Sequence, residues 1–157
     1  FELLRDSYCL AWRSRRQTIG LNEPLYDGCV EVLDTLADKG WTLGVATGKS
    51  YLGLAGTLQQ HSLLERFATL QTADRAQGKP DPEMLIKAIE DTGASREDTV
   101  MIGDTTYDMK MAVNAGVLAI GVAWGYHDTR DLERSGAHTV AQAYEELPDL
   151  IQELIVE

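Results

Sequence analysis

A hydroxyl and a glycine follow an apolar stretch in Val45-Ala46-Thr47-Gly48-Lys49-Ser50. Thr47 Oγ and the free backbone N–H groups that begin at Gly48 can bind an anion at the start of a helix. Turn formation explains the segment as well as phosphate binding does. A nucleotide-binding P-loop is excluded, because that motif needs a glycine at position 43, where the chain has Leu43, and Gly44 lies one residue too close.

A second segment, Gly78-Lys79-Pro80-Asp81-Pro82, carries a single cation before a predicted helix. Pro80 biases Lys79 towards an extended backbone, so the ammonium is held on a stiff stretch of chain. Such a point charge can neutralise a phosphoryl oxygen or a nearby carboxylate. A surface lysine in a turn is the alternative interpretation of this segment alone.

The third segment, Val100 to Asp108, contains two acids with a spacing of four residues. Asp104 follows a predicted strand, and Asp108 falls in the first turn of the next helix, where the two carboxylates can converge. Paired hard oxygen ligands at the mouth of a strand suit Mg²⁺, which takes one or two carboxylates and keeps water for a substrate phosphate. The alternative is that Asp108 only complements the helix dipole. We favour the metal, because Gly103 allows a close approach of the backbone.

These segments must be positioned by alternating strands and helices, which predict an α/β fold with a parallel sheet and helices on both faces. In such a sheet, ligands bind beyond the carboxyl ends of the strands, where all three segments are expected. The predicted strands are 41–46, 67–71, 100–102 and 117–122. The predicted helices are 30–37, 50–60, 81–92, one after Asp104 that ends at 114–116, and 143–155.

Taken in order, the three segments resemble the haloacid dehalogenase (HAD) superfamily, in particular its phosphoglycolate phosphatase-like branch. The resemblance implies a Rossmann-like core and a Mg²⁺-dependent phosphatase that forms an aspartyl-phosphate. It implies that Thr47, Gly48 and Lys79 bind the phosphoryl group and that Lys79 also balances charge on this group and on the nucleophile. It implies that Asp104 binds Mg²⁺, with Asp108 as a second ligand or as support through water. Thr47, Lys79 and Asp104 would be the catalytic residues, and the loop that follows Ala123 also looks like that branch.

The chain departs from the family at the first motif, a strand that ends in Asp-x-Asp and provides the nucleophile and the general acid/base. The closest sequence, Leu25-Tyr26-Asp27-Gly28, has Leu25 at the nucleophile position and follows no strand. We therefore expect 1–20 to be a remnant of the helical cap and 21–157 to be the core. The central nucleophile strand and most of the cap would be missing, with the gap between the strands at 41–46 and 99–103.

A gap in the middle of a sheet leaves backbone groups unpaired, each at a cost of about 1–3 kcal/mol. The sequence therefore predicts either additional polypeptide or a sheet completed by strand swapping in a dimer or by direct re-pairing. The chain starts at Phe1 instead of Met, which is typical of a processed or truncated product.

Composition restricts the possible partners. The 157 residues include 14 Lys and Arg against 25 Asp and Glu, and the net charge of −11 disfavours nucleic acid and anionic lipid. No apolar run approaches the about 20 residues that cross a bilayer. Two cysteines, Cys9 and Cys29, indicate reduced thiols, and with no visible signal peptide they predict a cytoplasmic protein.

The sequence thus predicts a Mg²⁺-dependent phosphatase that acts on a small phosphorylated metabolite, with a nucleophile outside this chain. The alternative is a non-catalytic scaffold that binds phosphate or metal, which the chain without its nucleophile would be. His61 and His138 are interpreted as surface residues, and whether His127 approaches substrate stays open. The substrate itself is not predicted, since in this family the cap largely determines it.

Overall fold

The computed structural model describes residues 23–156, so the predicted cap remnant at 1–20 lies outside the described residues. The described part is an α/β fold, as predicted. Its helices are α1 Cys29–Asp38, α2 Tyr51–Gln60, α3 Glu83–Thr92, α4 Thr106–Ala115, α5 Thr129–Arg134 and α6 Leu147–Val156, with short 3-10 turns at Leu64–Arg66 and Tyr144–Glu146. Its strands are β1 Gly44–Thr47, β2 Thr69–Thr72, β3 Val100–Gly103, β4 Leu118–Val122 and β5 Thr139–Ala141.

The strands form two parallel sheets. β1 pairs with β2 from Gly44 opposite Thr69 to Thr47 opposite Thr72. β3 pairs with β4 from Val100 opposite Leu118, and β4 pairs with β5. Within residues 23–156, β1 and β3 do not pair with each other. The sheet is therefore interrupted between the two strands that the sequence predicted to flank a gap.

Helices cover both faces of the sheets, because successive strand residues point to opposite sides. On β4, Ala119 packs with α3, α4 and α5, and the neighbouring Ile120 packs with α1 and α6. The first of these cores is built around methionines of α3, β3 and α4, namely Met84, Met101, Met109 and Met111. Helix α3 also contacts β1 and β2, so it holds the two sheets together.

A cavity of about 470 Å³ occupies the interruption between the sheets. Val45 and Ala46 of β1 line one side, and Val100 and Met101 of β3 line the other. Leu85 of α3 and other side chains of the flanking helices close it above and below. The cavity thus has the place of a strand within a sheet that is covered on both faces.

Two helix starts differ from the sequence prediction. Helix α3 begins at Glu83, with Pro82 at the N-cap position, although Asp81 Oδ1 accepts a hydrogen bond from the Glu83 N–H at 3.0 Å. Helix α6 begins at Leu147 instead of Ala143, because the segment before it forms a 3-10 turn. Proline has no N–H to lose in a first helical turn, so Pro148 fits the observed start.

Helix α5 and strand β5 were not predicted. Helix α5 has six residues, too few to show a clear helical periodicity, and β5 has three. A side-chain cap does mark the start of α5, where Asp128 Oδ1 accepts a hydrogen bond from the Arg130 N–H. Among the helices of residues 23–156, none is long and apolar enough to span a bilayer.

Candidate active site

Thr47 is the last residue of β1, and its hydroxyl is used within its own loop. Thr47 Oγ1 accepts a hydrogen bond from the Lys49 N–H at 3.2 Å. Ser50 then caps α2 by accepting from the Gly53 N–H, as the sequence predicted. Gly48 is exposed and has open space around its Cα. The loop therefore combines turn chemistry with an accessible helix N-terminus, and the two sequence interpretations are compatible.

The end of β2 supports this loop. Asp74 accepts hydrogen bonds from the Thr72 hydroxyl at 2.6 Å and from the Tyr51 N–H, which lies at the start of α2. These bonds, led by that of the Thr72 hydroxyl, lower the pKa of Asp74 from its ordinary value of 3.8. The Ala73 N–H also donates to the Lys49 carbonyl at 3.2 Å. The carboxylate is thus kept charged where it holds the first turn of α2.

Lys79 is not a surface lysine, which rules out the simpler interpretation of its segment. Its Nζ donates to Asp108 Oδ1, and the Lys79 side chain is 19% exposed against 4% for Asp108. The Lys79–Pro80 peptide bond is cis. Of the two roles that the sequence allowed for this ammonium, the structure shows the neutralisation of a nearby carboxylate.

Asp108 is held from both sides. Its Oδ2 accepts from the Thr105 N–H at 3.0 Å and from the Thr105 hydroxyl at 2.7 Å, and the pair forms a capping box at the start of α4. Gly103 makes room for it, because a Cβ at that position would lie 2.6 Å from Asp108 Cγ. With Lys79 on Oδ1, both carboxylate oxygens have partners. Asp108 therefore complements the helix start, as the alternative interpretation had it, and also fixes Lys79.

Asp104 is half-buried at the carboxyl end of β3 and belongs to a second set of contacts. The Tyr126 N–H donates to its Oδ2 at 3.1 Å, and the His127 N–H donates to its backbone carbonyl at 3.1 Å. The loop after β4 thus lies directly on Asp104. In contrast to Asp108, this carboxylate has no lysine partner in the described part of the chain.

The structure pairs Lys79 with Asp108 in the first turn of α4, and it places Asp104 at the carboxyl end of β3, the strand that leads into this helix. Thr47 stands across the cavity, at the carboxyl end of β1. A strand that filled the cavity in parallel would end between Thr47 and Asp104. The site is therefore arranged around the carboxyl end of the interruption in the sheet.

The donor set at this edge fits Mg²⁺ as a partial site. Searching residues 23–156 finds no group of three His, Cys, Asp or Glu side chains that could hold a metal ion. Asp104 nevertheless offers a hard oxygen donor on a half-buried side chain, and Mg²⁺ needs only one or two carboxylates when water and a phosphate complete its shell. Asp108 could enter such a shell only through water or by giving up a present partner.

Some contributors to the site were not predicted. His127 was left open, and it contacts both Asp104 and Thr106. Gly125 was noted only as part of a loop that looks like the family's, and it lies against the Asp104 side chain. Lys49 forms an ion pair with Glu23, which also accepts from the Thr57 hydroxyl at 2.9 Å. His61 is half-buried beside Glu23 instead of lying free on the surface, and His138 is exposed, as expected. These contacts join residues far apart in sequence, so spacing could not reveal them.

The sequence model of the haloacid dehalogenase-like hydrolases matches residues 5–122. The chain therefore belongs to this family, and the resemblance drawn from its motifs is confirmed. The fold agrees, since a Clostridium acetobutylicum protein described as "a predicted phosphatase" superimposes with a TM-score of 0.81 at 28% identity, over 90% of this chain and 67% of that one.

Two curated relatives are similar in sequence. A Dickeya dadantii protein named "Probable phosphatase IndB" is 38% identical over 78% of this chain and 54% of its own length. The phosphoglycolate phosphatase of Agrobacterium fabrum is 35% identical over 76% of this chain and 51% of its own length. The chain thus spans about half the length of the curated relatives it matches.

Proposed function

We propose that this chain is the larger part of a Mg²⁺-dependent phosphatase that hydrolyses a small phosphorylated metabolite through an aspartyl-phosphate. The observation that carries the proposal is the largely buried Lys79–Asp108 pair, which is anchored at the start of α4, together with the half-buried Asp104 at the end of the preceding strand β3. Relatives named as phosphatases, including phosphoglycolate phosphatase, support the reaction class. The cytoplasm is the proposed location, because phosphorylated metabolites are kept there.

Each candidate residue has a role that its contacts allow. The exposed N–H groups at Gly48 and the hydroxyl of Thr47 would hold the phosphoryl oxygens at the N-terminus of α2. Lys79, oriented by Asp108, would place a positive charge where negative charge collects during transfer. Asp104 would bind Mg²⁺, which supplies charge neutralisation on the transferring group.

The nucleophile would lie outside the described residues, on a strand that fills the cavity between β1 and β3. Both neighbours of such a strand run parallel within their sheets, and each has one edge that no strand of residues 23–156 pairs with. A nucleophile at the carboxyl end of this strand would lie between Thr47 and Asp104. Within the described part of the chain, Asp27 lies in a turn before α1 and not on a strand, which argues against it as the nucleophile.

Phosphatase assays on two proteins test this proposal. One is the 157-residue chain, and the other, called here the extended chain, is this chain with whatever coding sequence precedes Phe1 in its gene. We expect the extended chain to hydrolyse small phosphomonoesters only when Mg²⁺ is present and the 157-residue chain to show no turnover. Turnover by the 157-residue chain would overturn the assignment of the nucleophile, and an extended chain that is inactive on a panel of phosphomonoesters would overturn the proposed reaction.

A non-catalytic scaffold that binds phosphate or metal is the second candidate. It is favoured by the internal partners of Thr47 Oγ1 and of both Asp108 oxygens, which describe a site that is stable without a reaction. The same assays separate the candidates, because a scaffold would bind Mg²⁺ or phosphate in both proteins and hydrolyse nothing in either.

A further inference from the structure

The loop from Trp124 to His127 touches the end of β3 at several separate points. Two are the hydrogen bonds from the Tyr126 and His127 N–H groups to the side chain and the carbonyl of Asp104. A third runs in the opposite direction, from the Thr106 N–H to His127 Nδ1 at 3.0 Å. The loop is therefore hydrogen-bonded to the residues on both sides of Thr105, Asp104 and Thr106, at the turn that leads from β3 into α4.

Gly125 brings this loop into contact with the Asp104 side chain. A Cβ at Gly125 would lie 2.6 Å from Asp104 Oδ2 and 2.8 Å from Cγ, and closer still to Cβ. Because Asp104 Cβ is fixed to the backbone, the carboxylate could not swing away to relieve the overlap. A larger residue at position 125 would have to move either the loop or the end of β3.

His127 holds the loop in this place through its ring. Nδ1 accepts the Thr106 N–H, so its lone pair faces the first turn of α4 and the ring proton sits on Nε2. The Thr106 N–H is one of the first N–H groups of a helix, which have no partner within the helix itself. The Tyr107 ring packs beside the imidazole with a centroid distance of 6.1 Å.

We propose that Gly125 and His127 form a clamp that sets the direction of the Asp104 carboxylate for Mg²⁺. This inference rests on the proposed function, in which Asp104 binds the metal. His127 and Gly125 are positioning residues, since their contacts are with Asp104 and Thr106. Groups that orient a metal ligand commonly change metal affinity by about 10- to 100-fold when they are removed.

His138 provides a matched control for His127. The His138 N–H donates to the Ala119 carbonyl at 2.9 Å, and His138 Nδ1 accepts the Ala119 N–H at 3.1 Å, on the opposite edge of β4 from the site. Both histidines thus exchange hydrogen bonds with a distant backbone segment, and only one of them lies against Asp104. His127→Ala, His127→Asn and His138→Ala are compared in the extended chain.

Calorimetric titration with Mg²⁺ gives the dissociation constant, and a thermal melt gives stability. We expect His127→Ala to weaken Mg²⁺ binding about tenfold or more. His127→Asn should restore most of the affinity, because its amide oxygen can accept the Thr106 N–H. His138→Ala should lower the melting temperature and leave Mg²⁺ binding unchanged. Equal Mg²⁺ affinity in His127→Ala and His138→Ala would overturn the clamp.

Gly125→Ala tests the other half of the clamp and decides the matter if His127→Ala does not fold. Gly56→Ala is its control, because a Cβ there meets no atom within 4 Å. We expect weaker Mg²⁺ binding in Gly125→Ala alone, and unchanged binding would overturn the clamp. Asp104→Asn separates the two proposals. If this variant binds Mg²⁺ as tightly as the parent protein, the metal site of the proposed function is wrong. If Asp104→Asn loses Mg²⁺ affinity and His127→Ala keeps it, only the clamp is wrong.

Discussion

The Nζ atom of Lys79 donates to Asp108 Oδ1, and this ion pair joins the segment before α3 to the first turn of α4. Asp108 is nearly inaccessible, and Lys79 is mostly covered. The pair therefore fixes the Lys79 ammonium against a residue that is itself fixed by Thr105. Pre-orientation of this kind lets a charge act on a bound group without a cost for rearrangement.

Removal of the Lys79 charge should destabilise the fold. Breaking a buried ion pair costs about 3–5 kcal/mol, because the remaining charge is left without a partner. We expect Lys79→Met to lose about 3 kcal/mol, the lower end of that range, since Lys79 keeps some exposure. Urea unfolding of the extended chain measures the loss.

Lys49→Met is the control for this prediction. The Lys49–Glu23 pair is more exposed, with side-chain exposures of 34% and 29%, and should contribute about 1 kcal/mol or less. Equal losses in the two variants would contradict the assignment of Lys79 and Asp108 as the buried, structurally important pair.

The Cys29 thiol should be slow to react. Burial raises the pKa of Cys29 above its ordinary value of 9.0, the charge of Glu31 adds to the rise, and a hydrogen bond with Tyr144 opposes it. Because the thiolate is the reactive form, the pH profile of alkylation by iodoacetamide should inflect above 9.0 in a Cys9→Ser background. Urea-unfolded protein should inflect near the ordinary value, and coincident folded and unfolded profiles would contradict this.

Glu83 should make the segment before Lys79 sensitive to acid. The bond from Lys87, and then that from the Gln77 N–H at 2.6 Å, lower the pKa of Glu83 from its ordinary value of 4.5. A carboxyl whose pKa is lowered on folding stabilises the protein above that ordinary value, and the stabilisation is lost as the pH falls through the folded pKa. The contribution of the Glu83 carboxylate to the free energy of unfolding should be small, since its interactions are on the surface of the protein.

Glu83→Gln measures this contribution, with Glu90→Gln on the same helix as the control. At pH values well above 4.5, the melting temperature of Glu83→Gln should lie below that of the parent protein. At pH values well below 4.5, the two melting temperatures should coincide. A difference that is constant with pH, or one of equal size in Glu90→Gln, would contradict the role of the Glu83 carboxylate.

The alternation of apolar runs and helical faces was enough to predict the α/β fold, whereas the interruption in the sheet was predicted from the resemblance to the HAD superfamily and its missing first motif. Strands such as 100–102 and 117–122 are buried on both faces and therefore read as continuous apolar runs. Short elements carry less signal, which explains why α5 and β5 were missed. The positions of Thr47 and Asp104 at strand ends were predicted as well, because both residues stand next to turn residues that end the apolar runs.

The partners of these residues could not be predicted. Whether Lys79 would meet a phosphate or a carboxylate depends on where α4 lies relative to the segment before α3, and that follows from packing across the methionine core. The contact of His127 with Thr106 spans 21 residues and comes from the pairing of β3 with β4. The sequence shows which residue types stand near the ends of strands, whereas packing between distant segments decides which of these residues contact each other.

Mg²⁺-dependent phosphatase activity of Asp104→Asn in the extended chain is the most direct test of the central claim. The amide can still accept the Tyr126 N–H, so the melting temperature should stay close to that of the parent protein. Turnover should fall about a hundredfold or more, equivalent to about 2.7 kcal/mol of transition-state stabilisation, and Asp38→Asn on the exposed end of α1 should be unaffected. Unchanged Mg²⁺-dependent turnover in a folded Asp104→Asn variant would contradict the account.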